Sequence, residues 1–390
     1  MRKIPELTDL PELKYFCKMA GSDVFSEVAI LMVVHLLPDC PAFIQAFEEC
    51  GADPQHIFLV GVPYSVKERV VEALSNRSCK LEVTSYEEMT AKVRETLSEA
   101  FRICGDTNKH LLVIEDGGYT VPLLHVEFPD RLGRCVGAVE QTTRGIRQDI
   151  EHDLRIPVIS IPDCELKRKF EGPYAGRSVV ANIENLLGGP GSLSGITAGV
   201  IGYGTVGQSV ANELRSIGTS VIVFDKDPIK MLIARANGFR CAGGLIDLAS
   251  SCKLIIGATG DTSITRSMFL HLNHGCKLVS ASSRRIEIDI PQLEAVAISR
   301  RKIEGFGTEY TLLNGRTIIL LADGFPINFY GDAEGIPDRM ISIVLALIFR
   351  GAVKLVSAHL KGAPLKPGLH LGIGTDLEAE IAEFSLELDF

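Results

Sequence analysis

Residues 197–218 read TAGVIGYGTVGQSVANELRSIG, and residues 220–227 continue as SVIVFDKD. A short run rich in apolar residues, Thr197–Ile201, reads as a buried strand. It runs straight into Gly202-Tyr-Gly204-Thr-Val-Gly207, and an amphipathic helical stretch opens at once. The G-x-G-x-x-G spacing has a mechanism only in this setting. Gly202 permits a tight turn, Gly204 lets backbone approach a pyrophosphate, and Gly207 lets the helix pack close to the sheet. The helix N-terminus then offers N–H donors and the positive end of its dipole. Thr205 and Val206 lie within the same turn. Asp225 ends the next strand, where a carboxylate accepts hydrogen bonds from a ribose 2′-hydroxyl and repels a 2′-phosphate. That favours NAD over NADP, with Lys226 as the neighbouring opposing charge.

Outward from this unit, apolar runs recur at Ser220–Phe224, Leu254–Ile256, Lys277–Ser280 and Thr317–Leu321, with helical patterns between. Upstream, Leu186–Ile196 reads LLGGPGSLSGI, a composition that suits a linker, and Gly176–Leu187 before it reads as helix. The N-terminal part repeats the alternation. Strands are expected at Val28–Val34, His56–Gly61, Lys80–Thr84 and Leu111–Ile114. Helices are expected at Pro41–Cys50, Val66–Leu74 and Glu87–Ile103. Strands alternating with helices predict α/β architecture with parallel sheets, here two Rossmann-like doubly wound domains.

Composition removes several classes. The 390 residues suffice for two domains. Lys and Arg number 40 against 49 Asp and Glu, a net charge of −9, so the broad basic footprint of a nucleic-acid binder is absent. No polybasic membrane patch is present. Mean hydropathy is +0.20, which predicts a large core and a buried subunit interface. Charges and prolines interrupt the N-terminus, unlike a signal peptide. The apolar run Met340–Phe349 is about half of the ~20 residues that span a bilayer, so a buried helix is expected. Ten cysteines without a CxxC pair read as free thiols of a cytoplasmic protein. His271 and His274 lack a third ligand, so no metal site is expected. Arg300, Arg301 and Lys302 read as a solvated turn.

The ordered series GYGTVGQ, FDKDPI, IGATGDTSIT, VSASSRRIEIDI and RTIILLADGFPINF resembles the cofactor domain of S-adenosylhomocysteine hydrolases. IEDGG, EQTTRG and LKRKFEGPYAGR resemble that family's first domain. The similarity covers roughly residues 25 to 345. It implies an NAD-binding domain over 188–337, inserted in a substrate domain built from both chain ends, 1–187 and 338–390. It also implies redox-neutral chemistry. Bound NAD oxidises a ribose 3′-hydroxyl, the ketone acidifies the C4′ hydrogen, the 5′ substituent leaves, water adds, and the ketone is reduced again.

Site residues follow from the resemblance one by one. His35 matches a histidine handling protons near the 5′ position, and Asp116 an aspartate that touches the ribose. Lys167 matches the lysine that takes the 3′-hydroxyl proton. Thr142 and Thr143 match threonines by the nicotinamide half of the cofactor, Asn328 a cofactor-side asparagine, and Thr259 and Gly260 the cofactor loop. A small nucleoside substrate and a homo-oligomer, dimer or tetramer, are implied, with no nucleic-acid or membrane partner.

The departures fall on the substrate side. A catalytic glutamate becomes Gln141, which can hold a hydroxyl but cannot take its proton, and Arg144 replaces a threonine. An Asp-Asn pair becomes Glu171-Gly172, and a cysteine becomes Gly176. Purine-side residues become Leu37 and Asp39. A Gly-His-Phe-Asp segment becomes Ser282-Ser283-Arg284-Arg285. Gly-His-Pro becomes Gly335-Ile336-Pro337, with an extra residue around Tyr330–Glu334, and the family's C-terminal arm has no counterpart before the final ELDF. The expectation is therefore a divergent enzyme acting at C4′–C5′ of an adenosine-type nucleoside, for example by 5′-dehydration to a 4′,5′-unsaturated product. Ordinary S-adenosylhomocysteine hydrolysis, a simple nucleoside dehydrogenase and a non-catalytic NAD-binding homologue stay open beside it.

Overall fold

The structure is a computed structural model that describes residues 8–330 and 336–388. The chain forms two compact units, one from 1–168 with 337–390, the other from 169–336.

In chain order the first unit holds α1 (Pro11–Ala20), β1 (Val28–Leu36), α2 (Cys40–Glu49), β2 (Ile57–Val66), α3 (Glu68–Ser75) and β3 (Lys80–Val83). It continues through α4 (Met89–Thr107), β4 (His110–Glu115), α5 (Thr120–Glu127), β5 (Cys135–Glu140), α6 (Thr143–Asp149) and β6 (Pro157–Ser160). A π-helical turn, Leu166–Glu171, then leads into α7 (Gly172–Leu186).

The second unit opens with α7 and runs on through β7 (Thr197–Ile201), α8 (Thr205–Ser216), β8 (Ser220–Phe224), α9 (Pro228–Ala236), β9 (Arg240–Cys241), α10 (Leu245–Ser251) and β10 (Leu254–Gly257). It closes with α11 (Arg266–Phe269), β11 (Cys276–Ser280), α12 (Ile290–Ala295), β12 (Ala297–Ile303), β13 (Gly307–Leu312) and β14 (Thr317–Leu321). The chain returns to the first unit with α13 (Asp338–Leu360), β15 (Gly368–Leu371) and α14 (Thr375–Glu387).

The first sheet is parallel throughout, in the order β15-β6-β5-β4-β1-β2-β3. From β1 the chain winds out to β3, then crosses back to β4 and winds the other way. The β1/β4 seam, in register at Met32 and Ile114, is thus a topological switch point. The second sheet, β12-β13-β14-β11-β10-β7-β8-β9, has its own switch point between β7 and β10, where Ile201 is level with Gly257. Its central strands are near-continuous Val, Ile, Leu and small residues because helices cover both faces.

Two stretches bear on the sequence expectation differently from how they read, and a third meets it. The second compact unit takes in α7 ahead of the expected domain start at 188, because α7 packs along α8. A Cβ on Gly172 would lie 2.4 Å from the Thr205 methyl, and one on Gly176 would lie 2.1 Å from Ser209 Oγ. Ser209 Oγ also donates to the Pro173 carbonyl at 2.7 Å. The two glycines that depart from the family pattern are therefore what lets the helices approach so closely.

Arg300–Lys302 is no turn but the middle of edge strand β12, antiparallel to β13. Its side chains are exposed and pair with Glu294, Glu309 and Asp323. Charged edge residues of this kind discourage sheet-to-sheet association. Met340–Phe349 belongs to the 23-residue α13, which is long and apolar enough to cross a membrane by length and composition. Its residues are instead buried against β5, β4 and α1, as in a core helix. Ser342 on this helix donates to the fully buried Glu12 of α1. All ten cysteines are free thiols.

Candidate functional site

His35 stands at the C-terminal end of β1 and Asp116 just beyond β4, the two strands that flank the first switch point. His35 Nε2 lies 2.9 Å from Asp116 Oδ2. The same oxygen accepts from Gln141 Nε2, carried on the turn after β5. His35 Nδ1 meets the hydroxyl of Ser65 on β2, and that hydroxyl also lies 3.2 Å from the Val62 carbonyl. Asp116 is 3% exposed, so its carboxylate is held by protein groups and not by bulk water.

Below this cluster Glu140 builds the loops. Its carboxylate accepts from Gly117 N at 3.2 Å and Gly118 N at 2.9 Å, and from Thr142 N at 2.6 Å and Thr142 Oγ1 at 2.7 Å. A Cβ on Gly145 would lie 2.1 Å from that carboxylate, so only glycine fits there. Thr142 caps α6 by accepting from Gly145 N at 2.9 Å. Thr143 opens the helix and is exposed. Burial holds Glu140 well above the usual carboxylate range, with Glu115, Asp149 and Asp116 adding and the Thr142 hydrogen bond opposing.

Leu37 and Asp39 lie on the stretch between β1 and α2, and Asp39 is the N-cap residue of α2. Burial pushes the Asp39 carboxyl up to about 6, opposed by its own backbone hydrogen bond and by His35, with Asp338 adding. Lys167 is half-buried on the π-helical turn, and Glu171 closes that turn. π-turns of this kind often mark functional positions.

In the second unit the expected cofactor residues gather at the β7/β10 switch point. Gly202 has φ +95°, and a Cβ there would lie 2.7 Å from the Ala258 carbonyl oxygen. A Cβ on Gly207 would lie 1.9 Å from the Gly202 carbonyl oxygen. A Cβ on Gly204, by contrast, would meet no heavy atom within 4 Å, which leaves a cradle open beside the N-terminus of α8. Thr205 and Val206 form the first turn of that helix. Asp225 Oδ2 accepts from Tyr203 N at 2.7 Å and Oδ1 from Asp227 N at 2.9 Å, with Lys230 Nζ 3.8 Å from Oδ2. A cleft of about 420 Å³ adjoins it, lined by Phe224, Pro228, Met231 and Leu232 with the charged Asp225, Lys226 and Arg235 at its edges. A partly apolar cleft beside an aspartate that is itself hydrogen-bonded to a glycine turn at a helix N-terminus fits the adenosine and pyrophosphate of NAD.

Thr259 and Gly260 line the loop after β10, next to the Gly202 turn. Asn328 lies on a short 3₁₀ turn, and its Oδ1 is buried without a donor among the described residues. Ile336 is half-buried. Gly335 and residues 331–334 lie outside the described residues. Among the described residues no cluster suits a metal ion, and His274 Nδ1 instead accepts from Thr317 N at 3.2 Å.

Sequence reasoning assigns no role to Ser65, Glu140 or Glu287. Glu287 is fully buried and accepts four hydrogen bonds from the Thr259–Ser263 loop. The available signal was a lone acid at an apolar strand end (Glu140) or inside an apolar alternation, Ile286-Glu-Ile288.

A family model for the NAD-binding domain of S-adenosyl-L-homocysteine hydrolase matches residues 188–334. The S-inosyl-L-homocysteine hydrolase of Methanopyrus kandleri is 28% identical over 375 residues, 92% of this chain and 83% of that protein. The adenosylhomocysteinase of Aquifex aeolicus is 34% identical over 257 residues, 64% of this chain and 60% of that one. Among solved structures, a dipicolinate synthase chain from Bacillus halodurans superposes with a TM-score of 0.50 at 11% identity, over 86% of this chain and 100% of that one, a likeness of fold alone. The adenosylhomocysteinase of Pyrococcus abyssi is 30% identical over 334 residues, 83% of this chain and 75% of that protein. The family model and the overall sequence agree, and this chain belongs to the adenosylhomocysteinase family, with NAD as its cofactor.

Proposed function

We propose that this enzyme uses bound NAD for transient 3′-oxidation of an adenosine-type nucleoside and carries out elimination or addition at C4′–C5′. The substrate differs from that of an ordinary hydrolase, and 5′-dehydration to a 4′,5′-unsaturated nucleoside is the reaction that best suits the residues. The observation that carries this reading is the clamp on Asp116, held between His35 Nε2 and the amide of Gln141. Gln141 donates and cannot accept a proton, so the cluster keeps one histidine as its proton-transfer group.

In this reading the 169–336 unit binds the cofactor and the other unit the substrate. NAD supplies reversible oxidation of an alcohol carbon. Lys167 takes the 3′-hydroxyl proton, and Gln141 holds that hydroxyl in place. Asp116 holds the proton on His35 Nε2, and this nitrogen gives it to the group leaving C5′ when the substrate takes Asp116's place beside it. When water is the leaving group, that proton completes it, and the C4′ proton replaces it on the His35–Asp116 pair as the alkene forms, so the pair ends as it began. Thr142, Thr143 and Asn328 are assigned to the nicotinamide side, and Leu37, Asp39 and Ile336 to the substrate, by the family resemblance alone.

The relatives' names favour a second reading, hydrolysis of an S-nucleosyl-homocysteine to nucleoside and homocysteine. One experiment separates the two. The full chain with NAD is incubated with adenosine, inosine, S-adenosylhomocysteine or S-inosylhomocysteine, and products are weighed by mass spectrometry. A nucleoside lighter by one water supports dehydration. Homocysteine release with no dehydrated nucleoside establishes the second reading and overturns the first. Net accumulation of reduced cofactor would make the chain a simple dehydrogenase, and no turnover of any nucleoside would leave it a binding protein.

A further inference from the structure

We propose that Glu287 is a positioning residue for the cofactor, a latch that sets the Thr259–Ser263 loop beside the Gly202 turn. The loop leaves β10, and the turn leaves β7, the strand paired with it. Ala258 N donates to the Ile201 carbonyl at 2.8 Å, and the Gly202 backbone sits so close to Ala258 that no side chain fits between them. Any drift of the loop therefore moves the floor of the pyrophosphate cradle.

Glu287 comes from a third segment, beyond β11, and is wholly buried. Its Oε1 accepts from Thr259 N and Gly260 N, both at 2.6 Å. Its Oε2 receives Ser263 Oγ at 2.5 Å and Thr259 Oγ1 at 2.9 Å. Its own carbonyl accepts from Ser263 N at 3.0 Å and Ile264 N at 2.9 Å. The carboxylate also occupies the space a side chain at 257 would need, since a Cβ on Gly257 would lie 2.7 Å from Oε2. One side chain thus ties both ends of the loop to the sheet.

The two oxygens face different partners, and this makes the latch testable. Oε1 takes two N–H donors and must remain a bare acceptor. Oε2 faces two hydroxyls, which can turn to donate or accept. Glutamine therefore fits, with its carbonyl oxygen at Oε1 and its amide nitrogen at Oε2. Burial raises the Glu287 carboxyl, in keeping with a site that tolerates a donor at Oε2.

The test is calorimetric titration of NAD into the full-length chain stripped of cofactor, with a melting curve for each variant. Glu287→Ala is expected to weaken NAD binding about tenfold or more, the effect of removing a charged acceptor from two backbone donors. Glu287→Gln is expected to bind within about threefold of wild type, because every donor keeps a partner. A folded Glu287→Ala with unchanged NAD affinity would overturn the latch, as would a folded Glu287→Gln as weak as the alanine variant. If Glu287→Ala does not fold, Ser263→Ala decides. A several-fold loss of affinity at unchanged melting temperature supports the latch, and unchanged affinity overturns it. The outcome is independent of which nucleoside the enzyme uses.

Discussion

His35 Nε2 and Asp116 Oδ2 stand 2.9 Å apart across the switch point of the first sheet. Neither residue is near the other in sequence, and the crossover from β3 to β4 is what brings them together. A carboxylate oxygen only accepts, so the hydrogen between them resides on Nε2. Asp116→Asn keeps the shape but offers Nε2 an amide. Turnover is expected to fall about a hundredfold or more, the usual worth of oriented acid–base catalysis. NAD affinity by titration should not change. Wild-type turnover in this variant would remove the pair from the reaction.

Ser65 gives the other ring nitrogen a partner in both charge states. A neutral ring accepts at Nδ1 from the hydroxyl. A charged ring donates to it, and the hydroxyl proton can then turn to the Val62 carbonyl at 3.2 Å. Ser65→Ala takes this partner from Nδ1 in both charge states, and turnover should drop roughly tenfold. A pH–rate profile identical to wild type would assign Ser65 to packing alone.

Asp149 is fully buried, and both its carboxylate oxygens lack a donor among the described residues. Burial, and then the neighbouring Glu115, push it up to about 8 from 3.8. An acid raised in the folded state binds more protons there than when unfolded, so it costs stability as pH rises from about 4 towards 8. Asp149→Asn should therefore stabilise the protein by about 1–3 kcal/mol at pH 8 and have little effect near pH 4. Urea unfolding at the two pH values measures the difference. Equal effects at both would show that Asp149 is ionised throughout.

Asp225 ties the Gly202 turn to β8 through Tyr203 N and Asp227 N. Asp225→Ala removes these ties together with the acceptor proposed for a ribose hydroxyl. NAD affinity should weaken about tenfold or more, and the discrimination against NADP should shrink. Parallel titrations with the two dinucleotides report both. An undiminished preference for NAD would place the discrimination elsewhere.

The glycine turn and Asp225 were legible because the whole constellation lies within one strand–turn–helix–strand unit. There local steric rules dictate residue type: φ +95° at Gly202 and a 1.9 Å approach at Gly207 admit only glycine. Buried parallel strands were legible for a similar reason, since burial on both faces demands unbroken apolar runs. Edge strand β12 was not, because Ser299 to Lys302 face solvent and carry no apolar alternation. The start of the second unit before α7 was not legible either, because glycine-mediated packing on α8 leaves no periodic signal.

By itself, then, the sequence determined the α/β class and the dinucleotide turn, and it named the residues proposed here to act on a ribose. Only the tertiary structure decided which of those residues meet. The Ser65–His35–Asp116–Gln141 chain draws on four segments, β2, β1, the β4 end and the β5 turn, and the Glu287 latch joins two more. Hydrogen bonds of this kind depend on strand order and register, which the winding of the sheet sets and no local pattern of residues encodes.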